Sequence, residues 1–181
     1  MRIAADAAAV GVGIRWRAML LGPIFQAQGW SDSPFNLFPA KGRYMWADMD
    51  RICRDAGLDF SRPAEFPRNG LLAARIVCAH EDQPWTGEFV RQVFAANFAD
   101  DLDIAQPEVI IRCIQRCGVT PAPVIEAAKA DAAKLKLRER TAFAGNIGIF
   151  GAPSFVADGE LFWGNERIEH GLHAARTAAS R

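Results

Sequence analysis

The chain has 181 residues, a length suited to one domain or to a domain carrying a large insert. Half of the residues are hydrophobic and 23% are charged, which supplies a packed core and excludes wholesale disorder. Lys+Arg and Asp+Glu each number 21, so the basic excess expected of a nucleic-acid-binding surface is missing. No apolar run approaches the ~20 residues of a membrane span. Asp6 breaks the N-terminal apolar stretch early, so no signal peptide is read there. The expectation is a soluble, cytoplasmic protein that binds neither nucleic acid nor membrane.

Taken in chain order, Arg2 to Val10 reads as a short Ala-rich helix ended near Gly11 and Gly13. Ile14-Arg15-Trp16-Arg17 alternates apolar and basic residues, which predicts a strand through Leu20, broken by Gly22-Pro23. Gly29 to Pro39 interleaves Trp30, Phe35 and Phe38 with Ser, Asp, Pro and Asn, a loop with aromatic anchors. From Gly42 to Ala56 a helix places Met45, Met49, Ile52, Cys53 and Ala56 on one stripe. Asn69 caps a helix to Ala79, with Leu71, Leu72, Ile76 and Ala79 as core candidates. Pro84 to Phe98 continues through Phe89, Val93 and Phe94. Two helices that open with proline follow, Pro107 to Cys117 and Pro121 to Ala133. Leu135 to Gly145 is the last helix before a change of character.

Pro153 to Ala157 then reads as a strand, Asp158-Gly159 as a hairpin turn and Glu160 to Trp163 as its partner. A final helix begins at Gly164-Asn165-Glu166 and runs towards Ala179. The order of elements predicts an α/β sheet domain interrupted by an all-helical insertion.

Few residues carry chemistry by pattern alone. Cys53, Cys78, Cys113 and Cys117 form no Cys-x-x-Cys pair, and Cys113 with Cys117 lacks a second ligand pair, so they read as buried reduced thiols. No metal site is assigned. His80, His170 and His173 have no Ser or Cys partner at a recognisable spacing and read as surface or capping residues. Gly145-x-x-Gly148-x-x-Gly151 follows a helix and precedes a strand, the wrong order for a dinucleotide loop.

Gly148-Ile149-Phe150-Gly151-Ala152-Pro153-Ser154-Phe155 is the most informative segment. A proline opening a strand cannot donate to the ladder. Either Ala152-Pro153 is a cis turn that turns the preceding backbone out of the sheet, or Pro153 is trans in an ordinary edge strand; the residues leave both open. With the hairpin and helix that follow, the cis form corresponds to the C-terminal half of a thioredoxin-type fold.

This segment, the later Leu161-Phe162-Trp163-Gly164-Asn165-Glu166-Arg167 and the upstream Arg15-Trp16-Arg17, Leu20-Leu21-Gly22-Pro23, Pro39-Ala40-Lys41-Gly42-Arg43-Tyr44 and Phe66-Pro67-Arg68-Asn69 to Arg75 occur in order over almost the whole chain. Together they resemble 2-hydroxychromene-2-carboxylate isomerases and kappa-class glutathione transferases, relatives of the bacterial disulfide oxidoreductases. The resemblance implies a thioredoxin-like domain (1–38 and 131–181) with a helical insertion (39–130), bound glutathione and a homodimer. It places the cysteinyl backbone of glutathione on Ala152 and Pro153, and its γ-glutamyl end near Trp163, Gly164, Asn165 and Glu166. A helix opening at Asn165 would favour an anion, with Glu166, often Asp in the family, meeting the amino group. Lys41 would approach the glycyl carboxylate or the substrate. Asn36, Arg43, Tyr44, Asn69 and Arg75 would line a pocket for an aromatic acid.

The implied activity is glutathione-dependent isomerisation of 2-hydroxychromene-2-carboxylate to trans-o-hydroxybenzylidenepyruvate, a step of aromatic degradation. A kappa-type transferase or peroxidase is the near alternative. The family's first strand and its Ser-Pro-Tyr type motif, whose serine bonds the glutathione sulfur, would fall before Met1, so no catalytic residue is assigned. Two readings follow: a longer active chain, or a shortened relative that only binds glutathione or dimerises. A dithiol oxidase is disfavoured because Cys-x-x-Cys is absent from this sequence.

Overall fold

The computed structural model describes residues 2–179. Ten α-helices and two strands follow one another: α1 (Ile3–Ala9), α2 (Leu21–Ala27), α3 (Pro34–Leu37), α4 (Pro39–Asp55), α5 (Leu71–Ala79), α6 (Thr86–Phe98), α7 (Pro107–Arg116), α8 (Pro121–Lys129), α9 (Asp131–Asn146), β1 (Ser154–Ala157), β2 (Glu160–Trp163) and, after a 3-10 turn at Asn165–Arg167, α10 (Ile168–Ala179). None of the described helices is long and apolar enough to cross a membrane.

The helical body is organised around α5. Its sequence, Leu-Leu-Ala-Ala-Arg-Ile-Val-Cys-Ala, has one charged residue, and Ala73, Ile76, Val77 and Cys78 are buried. A helix apolar over most of its surface needs neighbours on several sides, and α6, α7, α8 and α9 all pack on it. Ile76, Phe89, Ile110 and Ile114 are fully buried in the cluster this makes. Each such side chain contributes roughly 1.5–3 kcal/mol on transfer from water. In α7, Val109, Ile110, Cys113 and Ile114 form the buried stripe. Phe94 of α6, expected in the core, is 54% exposed, because its helix turns Phe89 and Val93 inward instead.

The loop before α5 is tied down by one arginine. Arg68 donates to Asn97 Oδ1 (3.2 Å), to Leu102 O (3.0 Å) and to the Asp101 carboxylate. Nearby, the Trp46 ring of α4 meets Phe66 edge-on at 4.9 Å, next to the cis Phe66-Pro67 peptide.

Four expectations are corrected here. Ile14 to Leu20 is extended but belongs to no ladder. Its alternation is real: Val12, Ile14, Trp16 and Ala18 are half-buried, whereas Gly11, Gly13, Arg15 and Arg17 are exposed. A strand also needs a neighbouring backbone to bond, and this segment is held through side chains and helices. Trp16 lies against Gly87 of α6, and Leu20 N–H donates to Thr141 Oγ1 of α9 at 3.1 Å. Gly22-Pro23 does not end a strand but sits in the first turn of α2, where a proline's missing N–H costs little. The loop from Gly29 to Pro39 contains one helical turn, α3, capped by Ser33, whose hydroxyl accepts from Phe35 N–H. The helices predicted as Pro121–Ala133 and Leu135–Gly145 divide earlier, at Ala130, whose extended backbone (φ −60°, ψ 149°) ends α8 and starts α9.

Arg17 anchors the extended segment to a carboxylate. Glu81, just beyond α5, has a side chain only 7% exposed and pairs with Arg17 Nη1 at 3.2 Å, Lys136 Nζ at 2.9 Å and Arg140 Nη2 at 2.9 Å. Burial alone would raise the Glu81 carboxyl, but the hydrogen bonds from Lys136 and Arg140 and the charge of Arg17 outweigh it and hold the group below its ordinary value.

The C-terminal part is a two-stranded antiparallel hairpin backed by α10. Its register pairs Ser154 with Trp163, Phe155 with Phe162, Val156 with Leu161 and Ala157 with Glu160. Asp158 (φ 50°) and Gly159 (φ 79°) make the tight turn, since positive φ at both central residues matches the strand twist. A hairpin alone is marginal in water, and α10 packs on both strands. The other edge of β1 pairs with no strand among the described residues.

Two measurements check this account. Phe89→Ala is expected to cost about 3–5 kcal/mol, the range for a large buried aromatic side chain, read from urea unfolding. For Glu81 the sign follows from its lowered folded value. Its contribution is present above the ordinary carboxyl pKa and lost as pH falls through the folded one. The stability gap between the wild type and Glu81→Gln should therefore be about 1–3 kcal/mol near neutrality and close in acid. A gap that widens in acid contradicts it.

Candidate functional site

The hairpin, the loop before it and the turn after it form one compact feature. The Ala152-Pro153 peptide is cis, as the first of the two sequence readings had it. Pro153 O accepts from Gly164 N–H at 3.0 Å, so the loop entering β1 is latched to the residue leaving β2. Ser154 Oγ donates to Gly151 O at 2.8 Å. A methyl group on Gly151 would lie 2.6 Å from Trp163 Nε1, so glycine lets the indole rest on the backbone. On its other side Trp163 meets Phe150, with ring centroids 4.8 Å apart.

These contacts leave Ala152 outside every hydrogen bond. Ala152 and Pro153 are both exposed, and neither the N–H nor the C=O of Ala152 has a partner among the described residues. An exposed, unpaired main-chain donor and acceptor on one residue is what an extended peptide needs to add to a sheet.

Gly164 (φ 104°) adopts a backbone that L side chains rarely take. The Glu166 carboxylate folds back over it, 2.7 Å from where a Cβ would stand. Glu166 is exposed and carries no ion pair among the described residues. The N-cap position is taken by Gly164 and not by Asn165, so no side chain caps the turn. The expected α-helix N-terminus at Asn165 is replaced by a 3-10 turn, and α10 proper begins at Ile168. Its tighter winding brings Glu166 back over Gly164.

The remaining predicted residues lie on the N-terminal helices. Lys41 is not in a loop: Pro39 opens α4, which puts Lys41 in the first turn, exposed, with Nζ 5.4 Å from the Phe38 ring centroid. Phe38 in turn meets Trp30, and Trp30 meets Phe25, so Lys41 stands at the end of an aromatic ledge. Arg43 is exposed on α4. Tyr44 is 66% exposed and lies under Arg51. Asn36 donates through Nδ2 to Asp32 Oδ2 (3.0 Å) and Phe66 O (2.9 Å), joining α3 to the loop before α5. Asn69 Oδ1 accepts from Leu71 N–H at 2.9 Å, but the N-cap of α5 is Gly70, one residue later than expected, because the helix begins only at Leu71. Arg75 is half-buried, with Nε shielded from solvent and without a hydrogen-bond partner among the described residues. No hydrogen bond or ion pair of these residues reaches the hairpin.

Sequence reasoning quoted Arg167 without giving it a role and read His170 as a surface or capping residue. With Leu161, Phe162 and Trp163 they line an open cleft of about 300 Å³ beside β2. A cation at position 167 and an aromatic wall at 162–163 suit an anionic ligand. The available signal was the spacing of Trp163, Arg167 and His170, which a turn and one helical step bring to one side. The four thiols are poor nucleophiles: burial pushes Cys53, Cys78, Cys113 and Cys117 up. Cys117 Sγ donates to Cys113 O at 3.2 Å.

A latched cis-proline loop, a hairpin and a closing helix define a thioredoxin-type C-terminal half. The model of the DSBA-like thioredoxin domain matches residues 1–175, and the chain belongs to that family. It is 24% identical over 129 residues to the 2-hydroxychromene-2-carboxylate isomerase of Sphingobium xenophagum, covering 71% of this chain and 65% of that protein. It is 26% identical over 172 residues to glutathione S-transferase kappa 1 of Rattus norvegicus, covering 87% of this chain and 75% of the relative. A solved structure of a selenomethionine 2-hydroxychromene-2-carboxylate isomerase shares the fold, with a TM-score of 0.83 at 22% identity over 99% of this chain and 87% of that one.

Gly151 provides the test of this geometry. Gly151→Ala is expected to destabilise by about 1–2 kcal/mol, a modest overpacking cost because the indole edge is half-exposed. In a Trp163→Ala background the same substitution should cost much less. Equal costs in the two backgrounds would show that the indole does not rest on this backbone.

Proposed function

We propose that the chain binds glutathione along Ala152-Pro153 and acts as a glutathione-dependent isomerase on 2-hydroxychromene-2-carboxylate, or on a close analogue. The single observation that carries the reading is Ala152, exposed at the cis peptide with both main-chain polar groups unpaired. The two relatives, an isomerase and a kappa-class transferase, support glutathione as the ligand.

On this reading the residues meet the tripeptide group by group. Ala152 N–H and C=O would take the cysteinyl main chain as an added strand. The unpaired Glu166 carboxylate would take the γ-glutamyl amino group, a charge-assisted bond, with Trp163, Gly164 and Asn165 forming the turn that carries the neighbouring carboxylate. Lys41 would hold the glycyl carboxylate or the acid group of the substrate. Arg43, Tyr44 and Arg75 would face the aromatic acid, with Asn36 and Asn69 fixing the segments that present them. Bound glutathione supplies a thiolate that adds reversibly to a conjugated system and frees rotation about a former double bond. The protein's share is orientation and a cationic hold on the carboxylate.

The same reading divides the chain into a thioredoxin-like part (1–38 and 131–181) and a helical insertion (39–130), and assigns a cytoplasmic homodimer. A kappa-type transferase is the second reading, favoured by the longer match to the rat protein.

Calorimetric titration with glutathione tests the ligand. Glu166→Ala should weaken binding about tenfold, the loss of one charge-assisted hydrogen bond, whereas unchanged affinity removes Glu166 from the site. Product formation from 2-hydroxychromene-2-carboxylate only with glutathione present supports the isomerase. Conjugation of glutathione to an electrophile without isomerisation supports the transferase.

A further inference from the structure

Where the extended segment, the α5–α6 turn and α9 meet, three cations converge on one carboxylate. Arg17, Lys136 and Arg140 all lie within 3.2 Å of Glu81, which is the one acid any of them pairs with among the described residues. The three cations and the carboxylate together carry a formal charge of +2. The carboxylate is 7% exposed, whereas the cations are 32%, 37% and 33% exposed.

One donor is stranded. Arg140 Nε is shielded from solvent and has no hydrogen-bond partner among the described residues. A buried N–H without an acceptor is destabilising, more so on a charged group, and three like charges around one carboxylate repel one another. An ion with two negative charges and several oxygens would neutralise the excess where the cations reach solvent. Arginine forks match such oxygens in geometry, and lysine adds a point charge.

We propose that Arg17, Lys136 and Arg140 form a binding site for a phosphate-type dianion, with Glu81 as the internal brace that sets their spacing. The site lies on the helical body and owes nothing to the glutathione reading of the hairpin.

Inorganic phosphate is titrated into the full-length chain by calorimetry and in thermal melts, with sodium chloride at matched ionic strength as the control. Phosphate should bind and raise the melting temperature beyond chloride. Lys136→Gln should lower phosphate affinity about tenfold, the value of one charge-assisted contact, and leave glutathione affinity unchanged. Arg140→Gln, which removes the charge, should also weaken phosphate. A phosphate monoester in a parallel titration separates a free anion from an esterified ligand by which binds tighter. Equal stabilisation by chloride, or wild-type phosphate affinity in both variants, overturns the proposal.

Discussion

The burial of α5 on several sides at once is the constraint on which the rest of the helical body depends. Its residues leave no broad polar face, so α6, α7, α8 and α9 must all close on it. That closure places Glu81, at its end, beside α9 and the extended segment. The carboxylate is too buried to stand unpaired, and the cations around it join three stretches of chain far apart in sequence. A packing requirement in one helix thus becomes an electrostatic junction at its end.

The hairpin follows a different logic. Two four-residue strands cannot stand alone, and their rigidity comes from α10, from the Gly164–Pro153 bond and from Trp163 lying on Gly151 between Phe150 and the backbone. These contacts use the neighbouring polar groups and leave Ala152 unpaired. Rigidity around an unsatisfied main-chain pair is pre-organisation for a peptide-like ligand.

Polar groups in the molecule divide by whether the protein itself satisfies them. Asn36, Asn69 and Arg68 are engaged in joining loops to helices. Ala152, Glu166 and Arg140 Nε are not. The first group stabilises the fold, and the second is left open to a ligand.

Local chemistry was legible wherever neighbours in sequence suffice to decide it. The helices α5, α6 and α7 could be read from periodicity and proline placement, and the hairpin from Asp158-Gly159. Ala152-Pro153 was legible as a pair of alternatives that the folded chain resolved. Ile14 to Leu20 has the alternation of a strand, but whether a backbone lies alongside it is a long-range matter, and helices lie there instead. Lys41 moved from loop to helix because Pro39 could open α4 directly after α3. The convergence of Arg17, Lys136 and Arg140 on Glu81 had no signature along the chain. Residues 17, 81, 136 and 140 meet only once the body around α5 has closed, because a buried charge takes its partners from whichever elements the packing brings within reach.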